Sequence, residues 1–238
     1  MSAANRVIRP VRLLVVGILL LFVLGGAASS QEDVTRHYLS WTADRAEAVI
    51  KSMHKDGRVG GFFDTRILST NRSYNYKLSA TWLTPETMRA GARIAQLNGF
   101  LSDEATEQLI TDADAAGGTV VLIEIDPREG SGVIPLKWGA FLTSKKDENG
   151  EAPVVSGVNT PTLRHVPALA GLLPRNYDYD RFWIVFPLHT PGGEPLFDEA
   201  TSEAELIVRI YDKEGRVAWR VPRSILTRIA ETRPQPEP

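Results

Sequence analysis

The chain of 238 residues contains no cysteine. That absence excludes disulfide bonds and a lipid-modified cysteine anchor, so the fold must hold by packing alone. Histidine is scarce as well: His37, His54, His165 and His189 stand far apart, and no His-x-x-x-His pair occurs. Zinc needs several such ligands, commonly two at helical or turn spacing, so no metal site is expected. Nor is there an excess of one charge, with 27 basic against 29 acidic residues. No basic block follows the first few residues, which excludes nucleic acid and an anionic membrane surface as favoured partners. No repeat of fixed period appears.

What is present at the start of the chain is a leader. Arg6, Arg9 and Arg12 precede an apolar run from Leu13 to Leu24, and Gly25-Gly26-Ala27-Ala28-Ser29-Ser30 follows. These are the positive, apolar and small-residue regions of a secretory signal peptide over residues 1–30, with Ala28-x-Ser30 as the cleavage site. The rival reading is an uncleaved membrane anchor over Val11 to Ala28, the one membrane contact expected. Both readings export the domain, because the arginines stay on the cytoplasmic side. Removing the leader takes three arginines and no acid, leaving 24 basic and 29 acidic residues. An exported chain of this length without cysteine points to a bacterial source, and to the periplasm or cell exterior.

Helical spacing of Ala46, Val49, Ile50 and Met53 predicts a helix from Thr42 to Lys55, stopped by Asp56-Gly57. Two strands are expected next, Phe62 to Leu68 and Tyr74 to Leu83. In the second, Tyr74, Tyr76, Leu78, Ala80 and Trp82 share the core face, while Asn75, Lys77, Ser79 and Thr81 take a wet one. Thr84-Pro85-Glu86 carries a capping hydroxyl, a proline and an early acid, so a helix starts there and stops at Asn98-Gly99. Ser102-Asp103-Glu104 repeats the signal, with Gly117-Gly118 as a left-handed stop.

From Thr119 onward the pattern is one of strands. Thr119 to Ile125 is a continuous apolar run, as in a strand covered on both faces. Val133 to Thr143 and Val154 to Val158 form a pair across the turn at Lys145 to Gly150. Ala168 to Leu173 is read as one helical turn, and Arg181 to His189 as a central strand. A last hairpin joins Leu206, Val208 and Ile210 to Val217, Trp219 and Val221, with Gly215 in the left-handed position of its turn. Arg233 to Pro238 is expected to be disordered.

From Gly118 to Pro222 the order resembles that of immunoglobulin-like β-sandwich modules of exported bacterial proteins. The residues that carry the resemblance are Val121 and Ile123, Trp138 and Phe141, the hairpin from Asp147 to Gly150, Phe182 and Phe186, and the final hairpin. The resemblance implies a display or binding scaffold and brings no catalytic residue with it. It departs from the family in the long Thr160 to Asp180 connection and in lacking a cysteine pair.

Chemistry-bearing patterns are few. Asp112 to Gly117 imitates the start of a calcium loop, but Ala116 and Ile123 fill ligand positions. Glu124 and Asp126 lie two apart on a strand and so share a face, whereas a glycosidase draws its two acids from separate elements. Gly130-Ser131-Gly132 lacks the spacing of a nucleophile elbow, and Gly57 to Gly61 lacks the Lys-Ser/Thr of a phosphate loop. The best interaction candidate is Asn176 to Trp183, in which Tyr177, Asp178, Tyr179 and Asp180 mix aromatic platforms with carboxylates, a combination that stacks on sugars or grips a peptide.

The sequence thus leads to an α+β fold, mainly an antiparallel immunoglobulin-like β-sandwich over residues 119–230. An N-terminal helix, a β-hairpin and a short helical hairpin, within residues 31–118, pack on it, and residues 231–238 form the tail. The expected function is a non-catalytic binding or structural module with a protein or glycan partner in the envelope and no cofactor. The alternative is an extracytoplasmic hydrolase whose acids come from separate strands.

Overall fold

A computed structural model describes residues 37–58, 76–127, 137–144, 152–170, 180–211 and 213–232. The leader with Ala28 and Ser30, the strand expected at Phe62 to Leu68, the Asp147 to Gly150 turn, Tyr177, Asp178, Tyr179 and the Arg233 to Pro238 tail lie outside these residues. The chain divides into two units, Met1–Trp41 and Thr42–Pro238. In the first, a 3-10 turn spans His37–Ser40.

The second unit is of α+β class, with two antiparallel sheets packed as in a β-sandwich. One sheet has the order β1 (His54–Arg58), β2 (Tyr76–Leu83), β3 (Thr119–Pro127), β7 (Asp180–Phe186), β6 (Val158–Asn159). The other runs β5 (Val154–Ser156), β4 (Trp138–Ser144), β8 (Glu203–Ile210), β9 (Lys213–Arg220). Alternate residues of each strand meet between the sheets. Leu78, Ile123, Ile125 and Phe186 from one face Leu142, Leu206 and Ile210 from the other, all fully buried. Trp82 anchors this core, with Trp219 at 5.8 Å and Phe197 at 6.0 Å between ring centroids. Its indole N–H, like any buried donor, needs an acceptor, and Thr119 Oγ1 supplies one at 2.8 Å.

Four α-helices are described. The helical hairpin falls where its start signals lie: α2 spans Pro85–Gly99 behind the Thr84 cap, and α3 spans Asp103–Asp114 behind Ser102. Gly117 and Gly118 then take φ of 67° and 56°, the left-handed stop the sequence anticipates. The first stop differs, because the helix runs through Gly99 and Phe100 takes the left-handed position at φ 50°. These helices cover the outer face of the first sheet through a second cluster of Met88, Ala92, Val120, Leu122 and Trp183.

That layer corrects the expected wet side of β2. Ser79 and Thr81 are buried, because helices pack against β2 and an edge strand pairs alongside it. The neighbour is itself a departure. Helix α1 (Ala43–Met53) ends before His54, and His54–Arg58 becomes strand β1 on the edge of β2. Gly57 permits its approach to the second sheet: a Cβ there would lie 2.7 Å from Val217 Cγ2.

Four further expectations change. The strand expected at Val154 to Val158 divides at Gly157, pairing first with β4 and then with β7, and so links the two sheets at one edge. The last hairpin turns through Tyr211, at φ 56°, with Ile210 opposite Lys213; Gly215 lies within β9 opposite Val208. Helix α4 (Arg223–Glu231), where the sequence suggested only continued sandwich, buries Ile225 and Ile229 in the core. The single turn expected near Ala168 is two 3-10 turns, Pro161–His165 and Pro167–Leu169.

Candidate functional site

Strand register sets polar side chains in a row on the outer face of the first sheet. Asp56 stands opposite Ser79, Ser79 opposite Glu124, and Glu124 opposite Arg181. A second row places His54 opposite Thr81. Neighbouring members bond to one another. Ser79 Oγ donates to Asp56 Oδ1 at 2.9 Å, Thr81 Oγ1 and His54 Nδ1 lie 2.9 Å apart, and Arg181 Nε donates to Glu124 Oε1 at 2.8 Å. The Glu124–Arg181 pair is nearly enclosed, with each side chain 11% exposed.

The row ends in a polar pocket of about 500 Å3, lined by Arg164, His165, Ala170, Asp180, Arg181 and Trp183. Trp183 Nε1 donates to the carbonyl of Leu169 at 2.6 Å, and Arg181 Nη1 to that of Ala170 at 3.3 Å, which pins the second 3-10 turn to β7. The first turn presents Arg164 and His165, whose side chains are joined by a bond from Arg164 Nε to His165 Nε2 at 3.1 Å. Asp180, the one member of the expected Tyr177 to Asp180 cluster among the described residues, is exposed at the first position of β7.

The row does not assemble an activated nucleophile. Ser79 gives its hydroxyl proton to a carboxylate rather than to an imidazole, and Thr81, which does meet His54, is only 2% exposed. Nucleophilic catalysis needs a hydroxyl bonded to a base and reachable by substrate. Glu124 and Asp126 share a face, as the strand period requires, but Glu124 is already engaged by Arg181. The carboxylates of the calcium-like stretch are also occupied, Asp112 by Gln108 and Asp114 by Arg228.

Sequence reasoning missed His54, Asp56, Arg164 and Arg181 as neighbours. The alternation His54-x-Asp56 points to a shared strand face, but the helix expected to Lys55 and its Asp56-Gly57 stop claim the same residues. The outer face of the second sheet holds a different arrangement. Arg209 and Arg216 bond Glu214, and Arg216 also bonds Glu205, over the buried Ile207. The hydrogen bond from Arg209, with that from Arg216, holds the Glu214 carboxyl below its usual range, and the bond to Glu214 raises Arg216. This lattice braces β8 and β9.

Comparison with protein-family models, with curated proteins and with solved structures finds no match.

Proposed function

We propose that the protein is an exported, non-catalytic binding module of the bacterial periplasm or cell exterior, built on an immunoglobulin-like sandwich, and that it engages an envelope glycan or protein at the pocket beside Asp180. The pocket carries the reading. It places guanidinium, imidazole, carboxylate and indole groups around one opening, held by bonds from β7 to the adjoining turn. Fixed polar groups beside an aromatic wall orient a polar ligand without turning it over.

Strand order supports the scaffold part of the proposal. With β2 as A, β3 as B, β7 as E and β6 as D, the first sheet reads A-B-E-D after the added edge strand β1; with β5 as C′, β4 as C, β8 as F and β9 as G, the second reads C′-C-F-G. That partition supports the immunoglobulin-like reading. Trp138 on β4 meets Phe182 on β7 at 4.8 Å between ring centroids, which joins the two sheets. Strand β1 and the helical hairpin between β2 and β3 are additions to that plan. The leader supports export, by cleavage at Ala28-x-Ser30 or with the segment kept as an anchor; N-terminal sequencing of protein recovered outside the cytoplasm separates the two.

The binding claim is tested on a glycan array and by retention of envelope components on immobilised protein. The wild type should retain a ligand that Arg164→Ala and Asp180→Ala both lose while their melting temperatures stay unchanged. Retention unaffected by either exposed substitution would remove the pocket from the function.

A further inference from the structure

We propose that a second site, the groove between α4 and the segment from His189 to Glu199, binds a short peptide: apolar side chains fill the groove while a basic group meets Glu199 and an acidic group meets Arg223. The groove encloses about 820 Å3 and shares no lining residue with the pocket beside Asp180. Phe197, Leu226, Ile229 and Pro195 give it an apolar lining. Helical spacing turns Leu226 and Ile229 to one side of α4. Phe197 is fixed in turn by the buried Trp82, so the lining is preformed.

The two lips carry opposite charge. Asp198 and Glu199 lie on the loop side and Arg223 on the helix side. Glu199 and Arg223 are exposed, and neither side chain has an ion pair or hydrogen bond among the described residues. Arg223 is, moreover, the first residue of α4, a helix with no acid in its first turn and no side-chain cap. A cation there opposes the positive end of the helix dipole. A ligand carboxylate arriving at Arg223 offsets that repulsion, while Glu199 attracts a cation at the opposite lip. Charge complementarity of this kind selects a partner and fixes its direction more than it adds affinity, which the apolar lining supplies.

The test is calorimetric titration of the full domain with three end-blocked pentapeptides. The first has three leucines between a lysine and a glutamate, the second three leucines between two glutamates, and the third three serines between a lysine and a glutamate. Wild type should bind the first roughly fivefold to tenfold more tightly than either of the others. Glu199→Lys, an exposed change, should reverse the preference between the two leucine peptides. No saturable binding of the first peptide, equal affinity for the leucine peptides, or a preference unmoved by Glu199→Lys would overturn the proposal. Concentration-dependent dimerisation abolished by Glu199→Lys would overturn it too, by giving the groove to a second copy of the chain.

Discussion

Glu124 and Arg181 face each other directly across β3 and β7, 2.8 Å apart and almost wholly enclosed. Two charges removed from water are tolerable only as a pair, so the cost of breaking them is asymmetric. Arg181→Met leaves the carboxylate without its cation and should cost about 3 to 5 kcal/mol, whereas Glu124→Leu with Arg181→Met should recover most of that loss. Urea denaturation of the single and double variants measures both. The double variant should also lose the Arg181 bond to Ala170 and with it the shape of the pocket, so ligand retention should fall even where stability returns.

Gly157 marks the place where one strand passes from the second sheet to the first. A Cβ there would collide with Ile184 and come within 2.7 Å of Phe186 Cε1, and both residues are buried. Gly157→Ala should therefore cost about 1 to 3 kcal/mol through overpacking. Gly139→Ala is the matched control, since its nearest contacts are at 3.5 and 3.6 Å on the Phe141 ring. It should change stability by less than about 0.5 kcal/mol. Equal effects at the two positions would remove the steric account of the sheet crossing.

Local signals made the helical hairpin and the covered strand β3 legible in sequence. Thr84-Pro85-Glu86 and Ser102-Asp103-Glu104 state their caps within a few residues, and the apolar run of β3 needs no partner to be recognised. Strand β1 was not legible, because its sequence, His-Lys-Asp-Gly-Arg, has no apolar period; it exists through bonds to Ser79 and Thr81, more than twenty positions away. Helix α4 lacks a cap and an early acid, and is held instead by Ile225 and Ile229 in the core. The site follows the same rule. Asp180 was visible beside its aromatic neighbours, whereas Glu124 and Arg181, 57 positions apart, meet only through register.

The Glu214 lattice gives the protein an acid-sensitive element. Bonds from Arg209 and Arg216 hold the folded-state pKa of Glu214 below its ordinary value of 4.5. A depressed folded pKa contributes stability that is present above the unfolded value and lost as pH falls through the folded one. Glu214→Gln should thus lower stability near neutrality, by no more than about 1 kcal/mol for a partly exposed pair. The difference from wild type should shrink as pH falls below 4.5, and salt should shrink it at neutral pH. Thermal melts across pH and ionic strength check both trends; a difference that grew on acidification would contradict the lattice.

Phe100 is the least economical residue in the second unit, 94% exposed and held at φ 50° just past α2. A side chain with a Cβ in that left-handed position costs about 1 to 2 kcal/mol, which glycine avoids. Its ring gives nothing back to the fold, because it touches almost nothing. Phe100→Gly should therefore stabilise the protein by about 1 kcal/mol, a rise of about 2 to 4 °C in melting temperature for a domain of this size. Phe100→Ala retains the Cβ and its strain, so it should leave the melting temperature nearly where it was. The pair separates backbone strain from loss of the ring: equal stabilisation by both substitutions would show that the exposed ring, and not the left-handed backbone, carries the cost.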